Sequence, residues 1–330
     1  MTAAGGRQAR PRVSWRDLNG ILLLDKPAGL SSNAALQHAR RLFRARKAGH
    51  TGSLDPLASG LLPVCFGQAT KAAGMLLDAD KTYLVVAELG SRTETGDAEG
   101  AVVETRPVPE DLGSRLEETL QGFLGPIQQV PPMYSALKKD GRRLYELARQ
   151  GIEVAREPRS LTIHSLGGVS WDGSRLSLEV QCSKGTYIRT LVEDIARALG
   201  TVGHVVGLRR TSLGPFQDER MWTLDELETR LREGGEEALD RLLLGADFAL
   251  RRWPAVTVGP GEQAHLLQGC AVFAEGPGST RVRMYGPGDV FLGVGQMSPE
   301  GRRLAPVRIM LNLPDGDATA KPLEASRLQG

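Results

Sequence analysis

Gly49-His50-Thr51-Gly52-Ser53-Leu54-Asp55-Pro56-Leu57-Ala58-Ser59-Gly60-Leu61-Leu62-Pro63 runs on into Val64-Cys65-Phe66-Gly67-Gln68-Ala69-Thr70-Lys71. Glycines at 49, 52 and 60 and prolines at 56 and 63 interrupt it so often that neither a regular helix nor a regular strand is expected. Leu54, Leu57, Leu61 and Leu62 are more leucine than a solvated loop carries, so the segment reads as a loop pressed onto a core. Asp55 then sits in a partly apolar cleft with His50 nearby, an environment suited to a catalytic carboxylate. Asp-Pro also opens turns, and from spacing alone turn-capping is the leading reading of Asp55.

Around this stretch lies an ordinary globular composition, 41% hydrophobic and 24% charged over 330 residues, enough for one large domain and a small one. No apolar run spans a bilayer, and the Gly-, Ala- and Arg-rich start lacks the apolar region of a secretory signal. Cys65, Cys182 and Cys270 are odd in number and far apart, as free thiols in a reducing cytoplasm would be. No pair among the five histidines has zinc-site spacing, so no metal is expected. A net charge of +2 names no partner. Its distribution says more: Arg40, Arg41, Arg44, Arg46 and Lys47 crowd the approach to the central stretch, and Arg209-Arg210 form a second focus. From sequence alone a solvated face and a phosphate-facing one are equally open for the helix that carries the first run, and the expectation tested below is that both foci contact phosphates. Only eight of the 41 basic residues are lysine, yet Lys26, Lys47, Lys71, Lys81, Lys138 and Lys184 all fall in or beside the segments of interest. An ammonium is not freely replaced by a guanidinium.

Taken in order, residues 1–17 read as a flexible basic tail. Ile21 to Leu24 predicts a buried strand stopped at Pro27, and Ser31 or Ser32 caps a helix through about Lys47. Strands are expected over Lys81–Gly90 and Ala101–Thr105, paired as a hairpin or near-hairpin. A helix follows over Leu112–Phe123, then a proline-rich extended path through Val130-Pro131-Pro132, and a helix over Arg142–Arg149. Leu161–Leu166 and Leu176–Cys182 predict strands joined across Asp172-Gly173, followed by a helix to Leu199 and a strand from Val205 to Thr211. Thr223-Leu224-Asp225-Glu226 is a capping box, and its helix is broken at Gly234-Gly235. Beyond Trp253-Pro254 the short apolar runs predict a small β-rich unit, and 314–330 a polar tail.

The central stretch closely resembles the signature of the TruB family of tRNA pseudouridine synthases, with Asp55 at the catalytic aspartate. Further segments resemble the same family: Leu24-Asp25-Lys26-Pro27-Ala28-Gly29, Lys81-Thr82-Tyr83, Cys182-Ser183-Lys184-Gly185-Thr186-Tyr187-Ile188-Arg189 and Leu208-Arg209-Arg210. Ser31-Ser32 stands where the family usually has Thr-Ser. The resemblance implies an α/β (α+β) pseudouridine-synthase fold, its mixed sheet largely antiparallel, over residues 18–251. It also implies a PUA-like RNA-binding domain over 252–313. It implies isomerisation of uridine to pseudouridine at position 55 in the tRNA T-loop, by base flipping and an essential aspartate. Asp55 would be catalytic, Arg189 its partner, Tyr83 and Tyr187 stacking residues, Leu208 a pocket wall, and His50 a filler of the space the base leaves. Asp97 reads equally as an RNA contact or a turn residue and is assigned neither role. The reaction loses no group and changes no oxidation state, so no cofactor is expected. A cytoplasmic monomer acting on the T-arm without guide RNA or protein partner is the first reading. A tRNA-refolding chaperone and a guide-RNA-dependent catalytic subunit are the alternatives.

Overall fold

The computed structural model describes residues 14–139 and 141–311; most of the expected N-terminal tail and the 314–330 tail lie outside them. Its strands are β1 (Gly20–Lys26), β2 (Ala48–His50), β3 (Ser59–Phe66), β4 (Lys81–Leu89), β5 (Ser91–Thr93), β6 (Val102–Thr105), β7 (Gly125–Gln129), β8 (Lys138–Lys139), β9 (Arg142–Arg143), β10 (Arg159–Asp172), β11 (Arg175–Cys182) and β12 (Gly203–Leu213), followed by β13 (Ala255–Thr257), β14 (Val272–Phe273), β15 (Arg281–Tyr285), β16 (Phe291–Met297) and β17 (Arg303–Ile309). The helices are α1 (Ser32–Leu42), α2 (Thr70–Leu76), α3 (Leu112–Gln121), α4 (Leu144–Ala148), α5 (Ile188–Ala198), α6 (Leu224–Asp240) and α7 (Pro260–Leu267). This is a mixed α/β fold. An eight-stranded sheet runs β1-β3-β12-β4-β11-β10-β7 with β2 on β3, and a five-stranded sheet runs β13-β15-β16-β17-β14. In the large sheet only β3 and β12 pair in parallel.

The continuous apolar run of β1 exists because both its faces are covered. Leu22 and Leu24, with Leu62, Val64 and Phe66 of β3, pack under α1 and α6. Ile21 and Leu23, with Leu61 and Cys65, pack the opposite way against α2, Phe216 and, from the small sheet's unit, Val294 and Met310. β4 instead alternates: Tyr83, Val85, Ala87 and Leu89 are buried with α3 and α5, while Leu84 on the other face is 45% exposed.

Several expectations change. The central stretch contains a strand after all, because β3 starts at Ser59 and passes through Pro63. Pro63 is tolerated because its carbonyl, and with it the side of the chain lacking an N–H, faces away from β1, where it accepts from Thr51 N at 3.3 Å. Gly60 (φ +96°) is needed there, since a Cβ would lie 2.3 Å from the Arg210 carbonyl. α1 stops at Leu42, short of Lys47, and Arg44 turns with φ +49°. The expected hairpin is not formed by β4: β6 pairs with the separate short β5 after a break at Gly90 (φ +95°), and β4 is flanked by β11 and β12. The helix expected over Arg142–Arg149 is shortened to α4 because Lys138–Lys139 and Arg142–Arg143 pair as a small hairpin.

Residues 14–17 of the expected tail are docked. Arg16 bridges Ala45 as a β-bridge and pairs with Glu236 at 3.2 Å and with Asp240. The small sheet's unit is also tied down: Lys71 Nζ donates to the Ile309 carbonyl at 2.8 Å, and Tyr285 Oη to Asp247 at 2.8 Å. No helix of the described residues is long and apolar enough to cross a membrane.

Candidate active site

The Asp55 loop is held from below by a short set of buried polar bonds. Ser32 Oγ, at the start of α1, accepts from Leu54 N at 2.7 Å and donates to Leu54 O at 2.9 Å. Gly29 N donates to Pro56 O at 2.8 Å. Lys26, fully buried, donates to Leu30 O at 2.6 Å, Pro27 O at 2.8 Å and Pro56 O at 3.4 Å, and burial pulls its ammonium down to about 8. A guanidinium would not fit this compact set of carbonyls, which is the physical sense of a lysine at that position. Leu54 (6% exposed) and Ala58 anchor the loop in the core beneath α5.

Asp55 projects from this loop, and its Oδ2 lies 3.0 Å from Arg189 Nε. Arg189 enters from the first turn of α5, where Ile188, Leu191, Val192 and Ile195 seat the helix in the core. It is buried and held on every side: Nη1 donates to Thr95 O at 2.6 Å, Nη2 to Tyr134 O at 2.7 Å, and Asp97 Oδ2 stands 3.6 Å from Nε. Asp97 itself is 3% exposed and closes its own turn, its Oδ1 accepting from Thr95 Oγ1 at 2.6 Å and Glu99 N at 3.1 Å. A single guanidinium therefore joins two carboxylates from loops far apart in the chain. The Asp55 carboxyl is pushed above the ordinary carboxylate value by partial burial, pulled back by Arg189 and raised again by Asp97.

Beside this triad the sheet supplies a wall. Register places Arg210 of β12 opposite Tyr83 of β4, and Leu208 opposite Val85, so Tyr83, Leu208 and Arg210 share one face. Leu208 packs on the core cluster that contains Tyr83. Tyr187 sits at the N-terminus of α5, its backbone clamped by Gln129, whose amide donates to Tyr187 O at 3.1 Å and accepts from Tyr187 N at 2.8 Å. Burial raises both phenols above their usual value, so both are neutral hydroxyls near pH 7. Tyr83 and Tyr187 line one cavity of about 210 Å³ together with Gly52 and Arg210.

Arg189 thus joins Asp55 and Asp97, Tyr83 and Tyr187 share a cavity whose lining does not include Asp55, Arg189 or Leu208, and Leu208 packs on the core cluster that contains Tyr83. His50 stands further back on β2, opposite Val64, its Nδ1 3.4 Å from Gly52 N; burial and Arg210 lower its basicity. The basic foci are not free for phosphates as expected. Arg210 is 1% exposed, and Arg209 donates from Nη1 and Nη2 to the two carboxylate oxygens of Asp25 at 2.9 and 2.7 Å. Arg40 stacks over Trp15 and donates to Ala45 O, and Arg44 pairs with Glu236 at 2.6 Å. Arg41 and Lys47 remain exposed. Gln129 was missed and carries no local signal; Asp97, read equally as an RNA contact or a turn residue, closes its own turn, and the guanidinium it also meets was not visible in the sequence.

A model of the TruB family pseudouridylate synthase N-terminal domain matches residues 40–188. A tRNA pseudouridylate synthase B C-terminal domain model matches 189–251, and a model described as pseudouridine synthase II TruB, C-terminal, matches 254–310. A tRNA pseudouridine synthase B of Nitrosococcus oceani is 51% identical over 302 residues, covering 91% of this chain and 97% of its own. Another, of Pseudomonas putida, is 52% identical and covers 89% of this chain and 96% of its own. Among solved structures, an archaeal box H/ACA sRNP Nop10-Cbf5 complex superposes with TM-score 0.66 at 24% identity over 89% of this chain and 87% of the other. A Cbf5-Nop10-Gar1 complex gives 0.68 at 24% over 92% and 91%. At that identity the likeness is one of fold.

Proposed function

The chain belongs to the TruB family of pseudouridine synthases, and from that premise we propose that it isomerises uridine to pseudouridine at position 55, in the T-loop of tRNA. The single observation that carries this reading is the Asp55–Arg189 pair at 3.0 Å, with Tyr83 and Tyr187 lining a cavity of about 210 Å³ near the same loop. Breaking the glycosidic bond needs an ionised carboxylate, whether it attacks the sugar or removes a sugar proton. Arg189 keeps Asp55 ionised against the cleft's low polarity and aims it. The target base must leave its stack, which costs a few kcal/mol. Stacking on Tyr83 and Tyr187 returns about 1–3 kcal/mol per base, and Leu208 gives an apolar wall. His50 takes the place the base leaves.

We assign residues 18–251 to catalysis and 252–313 to a PUA-like module that adds RNA affinity. The chain acts alone in the cytoplasm, as a monomer without a guide RNA. Curated relatives near 50% identity carry the tRNA synthase name, which favours this over the guide-dependent reading that the structural neighbours bring to mind. The test is position-specific pseudouridine mapping on an unmodified tRNA transcript incubated with purified protein and no other RNA. Product at the T-loop uridine supports the proposal. No product without guide RNA, and product with it, replaces it by the guide-dependent reading.

A further inference from the structure

Gln129 ends β7, the strand at one edge of the large sheet, and is only 2% exposed. Both ends of its amide go to one residue: Oε1 accepts from Tyr187 N at 2.8 Å, and Nε2 donates to Tyr187 O at 3.1 Å. A buried amide needs partners, but two scattered ones would satisfy it equally well. Taking both from one residue does more. It fixes the N–H and the C=O on either side of a single Cα, and with them the direction in which that residue's Cβ points. Tyr187 is the N-cap of α5, extended at φ −95° and ψ 106°, and its side chain makes no cap bond. Its carbonyl already takes the first helical bond, from Leu191 N at 3.0 Å, so Gln129 supplies a second donor from outside the helix. The same device stands under the Asp55 loop, where Ser32 Oγ holds both the N–H and the C=O of Leu54.

We propose that Gln129 is a positioning residue for the target base: by clamping the backbone of Tyr187 it aims that ring at the flipped uracil. This rests on the function proposed above, in which Tyr187 stacks on the base. Arg189, two residues further along, does not depend on the clamp, because Thr95 O, Tyr134 O, Asp55 and Asp97 hold its guanidinium independently. Loss of the clamp therefore falls on Tyr187. A gap of about 0.5–1 Å forfeits a quarter to a half of a van der Waals contact, so a small shift of the ring removes much of a stack. The clamp grips backbone, not side chain. Its contribution to stability is thus the same whatever side chain stands at 187, whereas its contribution to base binding exists only while the ring is there.

The experiment is a double-mutant cycle between Gln129→Met and Tyr187→Leu, read by binding in an Asp55→Asn background so that no turnover intervenes. Two T-arm RNA hairpins serve as probes, one with the target uridine and one abasic at that position. Methionine keeps the length and the burial of Gln129 but makes neither bond. Gln129→Met should bind the uridine hairpin roughly tenfold more weakly, within the range of one stacked base, and the abasic hairpin within about twofold of its parent. Once Tyr187→Leu is present, adding Gln129→Met should change uridine-hairpin affinity by less than about twofold. The urea midpoint should fall by the same amount in both backgrounds, which separates positioning from a merely structural role. Where Gln129→Met does not fold, Gln129→Asn, an amide one methylene too short to reach both groups, takes its place in the cycle. Equal losses on both hairpins, a tenfold loss that persists beside Tyr187→Leu, or no loss at all overturns the assignment. Pseudouridine formation by protein with Asp55 intact is measured in parallel: its absence sinks the proposed function, and its presence without coupling sinks only the role of Gln129.

Discussion

Replacing Asp97 with Asn tests the part of the site that lies behind the catalytic carboxylate. Asn keeps an acceptor for Thr95 Oγ1 and Glu99 N but removes the charge 3.6 Å from Arg189 Nε. The bonds fall from charge-assisted to neutral strength, a loss of about 1–2 kcal/mol of stability. Arg189 is then held by two carbonyls and Asp55 only. A displacement that costs the transition state about 1.4 kcal/mol slows turnover tenfold, and tenfold or more is expected in kcat with KM little changed. The pH dependence moves in a defined direction. Activity requires ionised Asp55 and is lost as pH falls through its pKa; Asp97 raises that pKa, so removing its charge lowers it. Relative to its own maximum, Asp97→Asn therefore stays active to lower pH than wild type. Pseudouridine formation on T-arm RNA across pH, with urea denaturation alongside, reads all three effects. An unchanged kcat with an unchanged acid limb, or an acid limb that moves up, refutes the coupling.

Other expectations follow from the loop's supports. Lys26 titrates near 8 in the fold against about 10.4 in an unfolded chain, so the unfolded state binds more protons between these values and stability should rise with pH across that window. Lys26→Met should abolish that rise and lower kcat, as read by urea midpoints at pH 8 and pH 10. Ser32→Ala leaves Leu54 N without its buried acceptor and should cost about 1–3 kcal/mol of stability, with weaker turnover. In salt titrations of tRNA binding, Arg41→Gln should flatten the slope by roughly 0.7–0.9, whereas Arg44→Gln should leave it unchanged and lower stability through the lost Glu236 pair.

What could be read in advance was what local pattern controls. The apolar run of β1, the helix ending near Leu199, the capping box at Thr223 and the turn at Asp172-Gly173 all appear where the residues place them. Asp55 and Arg189 were paired through resemblance, not spacing, because 134 positions separate them and only the packing of α5 on the loop brings them together. Pro63 misled because a proline in a strand is harmless when its missing donor faces a gap, and that depends on which strand comes to lie beside it. The arginines misled for a related reason. A run such as Arg40, Arg41 and Arg44 shows charge, but α6 and Trp15 decide which of them reach solvent. Arg210 is the extreme case, because alternation along β12 turns it inward beside Tyr83 while Arg209 turns out to Asp25.

The most direct test of the central claim is Asp55→Asn, measured for product and for binding on the same tRNA. Asn preserves the side chain's shape but can neither attack the sugar as a carboxylate nor take its proton. In the proposed assignment binding draws on the tyrosines, the exposed basic residues and the C-terminal unit, none of which this change replaces. Wild-type protein alone should form pseudouridine at the T-loop uridine, and Asp55→Asn should form none above background while binding tRNA within a few-fold of wild type. Comparable product from Asp55→Asn would contradict the catalytic assignment, and a wild type that refolds tRNA but makes no product would give the chaperone reading its place.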